Sequence, residues 1–569
     1  MNETFINPYT FIPVSKGVKK EYSDYFSEPL ITGKISCVLK TKTQISVCDF
    51  GANEREHEFF SIDGTTPVIP GSSLRGVIRS IYESLTDSCF FSVNADDDDY
   101  FSSRMNKQKT GLLVRENGVY VLYEAKRSKD DNNWITEDMK TGDKVCFDEY
   151  IQGNISYVDG VNNEDGNQFE GFIHKVDTLE TKRREKTVHN YFSVFRKQNR
   201  IGEIDSKYIE RFKVNVDRYT PNDAICGKEY KAAFKNMYEK EGVFLPCWYI
   251  KENGHYYFAP SQMSRSIYAN KPIDLLKKQG LDKCISRSNV CEACSVFGTI
   301  NETKSGSITV PSRLRFGDAI CVSPEPLDRI YKLPILAQPR LSSFEFYLIN
   351  PEDSFGADDE KTRIAGRKYY WHNNKANITK DAVNKEGNKM DESVRLIKPG
   401  KEFRFEVFFD RITEKTLKKL IFAINLGENS IDGNYCHKIG HGKPIGLGSV
   451  KIAIEEIKIR SFANGFYTEK DMTELASSDL SSEFSSATNI SNIRRVTDFN
   501  AVNGALIGYP TIESGDTEIF KWFAENRGSF SRGKPQYKQK LPRIDANPAM
   551  NRKSPEFKKK PYVQGRKFR

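Results

Sequence analysis

A change of period along the first hundred residues constrains the fold more than any other feature. Residues 30–49, LITGKISCVLKTKTQISVCD, alternate apolar and polar side chains through β-branched residues. That predicts one long strand, or two with a bend near Lys40. After a polar loop at Phe50–Glu58, the segment VIPGSSLRGVIRSIYESL changes to helical spacing. Leu74, Val77, Ile78, Ile81, Tyr82 and Leu85 make one apolar face, and Pro70-Gly71-Ser72-Ser73 supplies the turn and a good N-cap. A strand followed by an amphipathic helix must bury one sheet face under that helix. The pattern returns near the other end: KEFRFEVFFDR reads as a strand, TEKTLKKLIFAINL as a helix closed at Gly427, and GSVKIAIEEIKIRSF as a strand. The order strand, helix, insertion, strands, helix, strand predicts an α+β fold. A split βαβ, ferredoxin-like (RRM-like) core matches the pieces best.

Residues 110–260 interrupt that order with short β-like runs between charged loops, followed by a helical stretch over about Tyr219–Lys240. The expected organisation is residues 1–109 and 261–465 as the two halves of a core, with 110–260 as a mainly β insertion. Residues 466–526 read as a Ser-rich linker, chiefly 472–494, with a small aromatic element, and 527–569 as a basic tail. The tail has fourteen lysines and arginines against Asp545 and Glu556, a net +12, so residues 1–526 sum to −3. Rich in Pro, Gly, Ser and Lys with isolated aromatics, it predicts a disordered cationic arm that phosphate backbones attract. A merely solubilising tail fits the same composition.

Hydrophobic residues make up 38% of the chain, enough to build a packed core, and no run approaches a membrane span. Eleven cysteines in 569 residues are not a disulfide scaffold, and the N-terminus has no secretory pattern. A cytoplasmic protein with reduced thiols is expected, without a membrane partner. The run Asp96–Asp99 reads as a solvated loop.

Four groups of residues carry candidate chemistry. Ser72 and Ser73 with the free amides of the helix start make an anion pocket, and Arg75 and Arg79 share a helix face. An ordinary capped helix with two surface arginines fits equally. The stretch His437-Lys438-Ile439-Gly440-His441-Gly442-Lys443-Pro444-Ile445-Gly446 is a basic, glycine-rich loop against which a phosphate chain can lie; a tight helix-to-strand connection is the alternative. Cys284, Cys291 and Cys294 have zinc-like spacing, with Cys247, Cys226, His255 or Cys321 as fourth ligand; three structural thiols without metal fit as well. Basic-aromatic strings, above all Arg367-Lys368-Tyr369-Tyr370-Trp371-His372, suit stacking on unpaired bases. There is no G-x-S-x-G elbow and no H-E-x-x-H helix.

IPGSSLRGVIRSIYE resembles the loop-helix motif of the RAMP superfamily of CRISPR-associated proteins. CEACSVFG followed by RLRFGDA resembles its Cys-containing segment and next strand, and HKIGHGKPIGLGSVKI its C-terminal glycine-rich loop. NPYTFIPV, AGRKYYWH and the YP…WF pattern resemble a long subfamily. The resemblance implies a ferredoxin-like core and a subunit of a type III CRISPR effector that grips guide RNA by its phosphates. Guide RNA, complementary RNA and other effector subunits are the implied partners. It implies an RNA face of Ser72, Ser73, Arg75, Arg79, Gly440, Gly442, Lys443 and Gly446. Other members are endoribonucleases acting on repeat or target RNA. For that alternative the candidates are His57 or His441 as general base, or Asp49 and Asp63 holding Mg²⁺. Neither aspartate falls at the family's spacing. The RNA-binding role is the leading expectation.

Overall fold

The computed structural model describes residues 3–14, 29–49, 56–93, 100–103, 108–136, 138–162, 166–175, 192–220, 226–252, 254–262, 264–287, 289–303, 306–334, 336, 343–349, 358, 360–375, 392–463, 465–513, 519–527 and 537–553. The run Asp96–Asp99 lies outside them. The chain is mixed α+β and divides into two compact units. One comprises Met1–Asp98, Ile273–Asp353 and Lys361–Arg569; the other comprises Asp99–Pro272 and Ser354–Glu360.

In the first unit the chain order is β1 (Leu30–Thr41), α1 (Gly71–Leu85), β2 (Leu314–Phe316), β3 (Ala319–Cys321), β4 (Glu402–Thr413), α2 (Glu414–Asn425) and β5 (Ser449–Ala463). The sheet runs β5–β1–β4, with β2 and β3 both paired to the far edge of β4, and every one of these pairings is antiparallel. Alternation along β1 turns Ile35, Cys37 and Leu39 inward. Register sets Phe405 of β4 and Ile454 of β5 on either side of Cys37, and all three are buried. Leu74, Ile78, Ile81 and Leu85 of α1 and Leu417, Leu420, Ile421 and Ile424 of α2 join the same core. Full burial of such side chains is worth about 1.5–3 kcal/mol each, far more than the propensity deficit of β-branched residues in a helix. The Thr413 hydroxyl caps α2 by accepting from the Thr416 N–H at 3.1 Å. Leu426 and Gly427 end it in left-handed backbone, with φ of 61° and 74°.

Two segments differ from their composition. Residues 472–494 are not a bare linker. Thr473–Ser477 and Ser481–Glu483 form 3₁₀ turns, and Ala487–Thr497 is a helix whose Ser486 hydroxyl accepts from Asn489 N–H. Its polar residues serve as caps and outer face, while Ile490, Ile493 and Val496 go into the core. Within 527–569, residues 537–553 are ordered: Ala549–Asn551 pairs antiparallel with Thr4–Ile6, and Met550 packs against Phe5, Phe346 and Trp522. A sparse apolar sequence is ordered here by a core built elsewhere, which composition alone does not register.

The second unit holds an eight-stranded sheet in the order Ile155–Val161, Lys144–Gln152, Phe169–His174, Ser193–Ile204, Val119–Lys129, Lys109–Glu116, Leu245–Glu252, His255–Ala259. A parallel pairing of Ser156 and Tyr157 with Ser128 and Lys129 joins the first strand to the fifth, closing five strands on themselves. The helical stretch is two helices, Ser206–Asp217 and Lys228–Glu239, whose Ile209, Phe212, Phe234 and Met237 share a core with Leu113, Leu122 and Phe258. Among the described residues no helix is long and apolar enough to cross a membrane.

Candidate nucleic-acid interface

The start of α1 and the glycine-rich loop line the same cavity, of about 440 Å³. Ser72, Ser73 and Gly76 form one wall, Lys438, Gly440 and Lys443 the other, and Lys368 to Tyr370 with His372 close it. Residues separated by more than 360 positions meet here because α1 and β5 contribute to one hydrophobic core. Among the described residues no acidic side chain lines the cavity, whereas three lysines do. Burial pushes the ammonium of Lys368 down to about 8 and, helped by the charge of Lys443, that of Lys438 down to about 7. Burial lowers Lys443 as well. The Lys438 Nζ donates to the carbonyls of Gly446 and Leu447 at 3.2 and 2.8 Å. Lys368 Nζ lies 3.9 Å from the Tyr9 ring centroid. His372 and His437 are buried and kept neutral; burial holds His437 at about 4 and His372 well below its usual value. Their ring nitrogens bond Ser449 Oγ, the Cys436 carbonyl and the Ile424 carbonyl.

The helix start is closed differently from the expected cap. Ser72 and Ser73 lie inside α1, and the carboxylate of Asp318 accepts from the Gly71 N–H at 2.7 Å. An internal anion thus occupies one of the free amides. Asp318 belongs to the RLRFGDA string, and its capping role had no signal in the sequence around α1. The glycines also have an internal purpose. Gly440, at φ +78°, brings its backbone so close to Ser46, in the segment after β1, that a Cβ would stand 2.0 Å from the Ser46 carbonyl oxygen. Gly442 and Gly446 flank a 3₁₀ turn over Lys443–Ile445, both in left-handed backbone. This loop shape holds the two lysines at the cavity wall.

Arg79 and Arg367 are corrections to the expected RNA face. Both are buried and clamp Glu83: Arg79 Nε donates to one carboxylate oxygen at 2.7 Å and Arg367 Nη1 to the other at 2.8 Å. Arg79 lies on the flank of α1 that packs on Phe91 and Phe297, so helical spacing named the right residue but the wrong face. Arg75 is half-buried, with its guanidinium donating to the Phe297 carbonyl. The string from Arg367 to His372 also turns largely inward, with Trp371 3% exposed.

The same guanidinium pair abuts the thiols. Cys284, Cys291 and Cys294 are joined by Cys89, with all four sulfurs within 4.8 Å of one another. Cys89 Sγ is 3.5 Å from Cys294 Sγ and 3.6 Å from Cys291 Sγ. The fourth member is therefore none of those expected from spacing: Cys226, Cys247 and His255 belong to the second unit, and Cys321 sits on β3. A tetrahedral zinc with bonds of about 2.3 Å puts its sulfurs about 3.8 Å apart, so this donor set fits. Hydrogen bonding with Cys284, Cys294 and Cys89 holds the Cys291 thiol well below its ordinary range, while the thiols of Cys89, Cys284 and Cys294 are pushed up, so that without a metal one thiolate is shared among four sulfurs. Arg79 Nη2 donates to Cys294 Sγ at 3.4 Å and the Cys291 N–H to Cys284 Sγ at 3.2 Å, an outer shell suited to thiolates.

The nuclease candidates separate. Asp63 is exposed, and its carboxylate is held far below the usual range by the Thr66 and Thr65 amides it caps, as a turn-former. Asp49 is exposed, and among the described residues neither aspartate joins a three-ligand metal group. His57 and His441 instead converge on Glu392: His57 Nε2 is 3.2 Å from Oε1 and His441 Nε2 is 3.0 Å from Oε2. Parallel pairing of Glu392–Ile397 with Glu56–His57 sets up that contact. Nothing in the spacing had singled out Glu392.

A model of the RAMP superfamily matches residues 29–451. No curated protein matches the chain. Among solved structures, the crystal structure of Thermofilum pendens Csc2 is similar at 10% identity over 85% of this chain and 90% of that one, with a TM-score of 0.25. The cryo-EM structure of the type III-B Cmr-beta bound to cognate target RNA is similar at 9% identity over 75% of this chain and 98% of that one, with a TM-score of 0.19. Likenesses so slight carry no argument about function.

Proposed function

Because the chain belongs to the RAMP superfamily, we propose that it is an RNA-binding subunit of a type III-like CRISPR effector that lays the guide backbone against the first unit. The partners in this reading are guide RNA, complementary RNA and other effector subunits, in antiviral defence in the cytoplasm. The strand order β5–β1–β4–β2/β3, with α1 after β1 and α2 after β4, supports reading the core as ferredoxin-like. One observation carries the RNA reading: Lys368, Lys438 and Lys443 share a cavity with Ser72 and Ser73 and, among the described residues, with no carboxylate. Three half-buried ammonium groups with depressed values are incompletely compensated inside the chain, and a phosphate diester supplies the missing charge. Ser72, Ser73, Arg75, Lys438, Lys443 and Lys368 remain the contact set; Arg79 and Arg367 do not.

A filter-binding titration of single-stranded RNA against salt tests this. Lys368→Ala/Lys443→Ala is expected to flatten the log–log salt slope by about 1.4, roughly 0.7 for each phosphate left without its ammonium partner. An unchanged slope removes the cavity from the RNA path. Affinity is also expected to fall between pH 6.5 and 8.5. Lys438 and Lys368, at about 7 and 8 in the free protein, must take up protons to meet a phosphate, and that uptake becomes costlier as pH rises. Flat affinity across this window counts against both lysines as RNA ligands.

One observation favours a second reading, endoribonuclease activity: the two candidate imidazoles share the Glu392 carboxylate. A carboxylate that orients an imidazole suits it to move a proton to or from a ribose hydroxyl. Labelled repeat RNA and guide-paired RNA, incubated with and without Mg²⁺, separate the readings. Cleavage without metal that falls at least a hundredfold in His441→Ala makes the chain a nuclease. Intact RNA leaves the binding role alone.

The four-cysteine cluster is read as a structural zinc site. Cys89, Cys284, Cys291 and Cys294 would hold the ion, which supplies a cross-link between the end of α1 and the segment at 284–294. Four thiolates leave no open position for a reacting water.

A further inference from the structure

From the second unit we infer a separate site for a nucleobase. A cavity of about 390 Å³ there is lined by three carboxamides, Gln108, Gln198 and Gln262, together with Thr110, Arg127 and Trp248. Its size lies within the span of small-ligand sites. Its lining differs from the lysine-lined cavity of the first unit: amides predominate, with one guanidinium, one ammonium (Lys109) and one carboxylate (Glu124). Both polar atoms of the Gln108 side chain are buried, and neither has a hydrogen-bond partner among the described residues. A buried amide left unmatched costs stability, so a ligand able to complete it gains affinity there.

A carboxamide offers one donor and one acceptor side by side, which is the pattern that a base edge satisfies. Two further carboxamides of the lining, Gln198 and Gln262, add exposed donor–acceptor pairs. The ring of Trp248 lies under the Arg127 guanidinium, 5.6 Å from its centroid, and Arg127 Nε is fixed by donating to Ser193 Oγ at 2.8 Å. Trp248 itself is 3% exposed, so the planar group toward the cavity is the half-buried Arg127 guanidinium, on which a flat heterocycle can stack. Lys109 also lines the cavity, largely exposed and 3.6 Å from Glu124, and can meet a phosphate attached to the base. The ligand class is therefore a base-bearing nucleotide, either free or as an unstacked residue of single-stranded RNA. This inference rests on no part of the first unit's cavity.

Isothermal titration of the full chain with AMP, GMP, CMP and UMP, and with a ten-nucleotide single-stranded RNA, tests it. Two variants accompany the native chain: Gln108→Leu, which removes the unmatched amide at constant size, and Gln198→Ala/Gln262→Ala, which alters exposed side chains. Binding of a mononucleotide that weakens at least tenfold in both variants, without a lowered Tm, supports the site with a free nucleotide as ligand. Binding of the oligonucleotide alone, weakened in both variants and at most threefold in Lys443→Ala, supports it with RNA as the source. Absence of binding by any probe at millimolar concentration overturns the inference, as does binding that both variants retain. Loss of RNA binding in Lys443→Ala alone supports the cavity of the first unit and overturns this one.

Discussion

About one zinc per chain is expected in the purified protein by elemental analysis, and none in Cys291→Ser/Cys294→Ser. The loss is expected to lower the melting temperature by ten degrees or more. Structural zinc is worth about 10–16 kcal/mol in small zinc-binding peptides. Here the ion is expected to supply a fraction of that, because the surrounding core contributes independently: Leu74, Ile78, Phe297 and their neighbours stay packed. Cys89→Ser discriminates best, since it lies about two hundred residues from the other three and has no C-x-x-C spacing to recommend it. If Cys89→Ser keeps full zinc content, the ion is held elsewhere. A native chain without zinc and with an unaltered melting curve after chelation makes the cluster four packed thiols. Arg79 donates to Cys294 and Arg367 to the Cys89 carbonyl, so the thiol cluster and the guanidinium pair form one network.

That network underlies the second large effect. Glu83→Gln should destabilise the first unit by about 3–5 kcal/mol, because it leaves two buried guanidinium groups without their shared carboxylate. Urea denaturation should show a lower midpoint at an unchanged slope. Arg367→Leu and Glu83→Leu together should cost less than the sum of the two single changes, since removing both partners also removes the uncompensated charge. A loss under 1 kcal/mol for Glu83→Gln would mean that water reaches the pair. These arginines stood among the expected RNA contacts, so the experiment also separates a stability role from a binding one: the folded variant should retain its RNA salt slope.

Much of this was legible beforehand, for reasons tied to particular residues. Ile35, Cys37 and Leu39 alternate and therefore form a strand with one inner face. Leu74, Ile78 and Ile81 recur at helical spacing and therefore form a helix with one inner face. Gly427 after the last apolar turn is a local end signal, and the helix Glu414–Asn425 stops just before it, while the Thr413 cap at its start came from the structure. The convergence of Ser72 with Lys443 rested on motif resemblance, and one cavity now holds both. By contrast, Ile490, Ile493 and Val496 are too few and too diluted by Ser and Asn to predict a helix. It takes the neighbouring core to make their burial favourable.

Local periodicity, charge and spacing act over a few residues, so the amino-acid sequence alone determined the two amphipathic helices of the core, the strands beside them, the basic glycine-rich loop and three of the four thiols. Burial and long-range approach depend on where the whole chain returns to itself. Only the tertiary structure could therefore decide that Cys89 completes the thiol cluster, that Asp318 caps α1, and that Glu392 gathers His57 and His441. It also decided that Arg79 and Arg367 face inward. The physical reason is the same in each case: a charge or thiol acquires its role from the polarity of what surrounds it, and those surroundings are assembled by the fold, largely from residues distant in the chain.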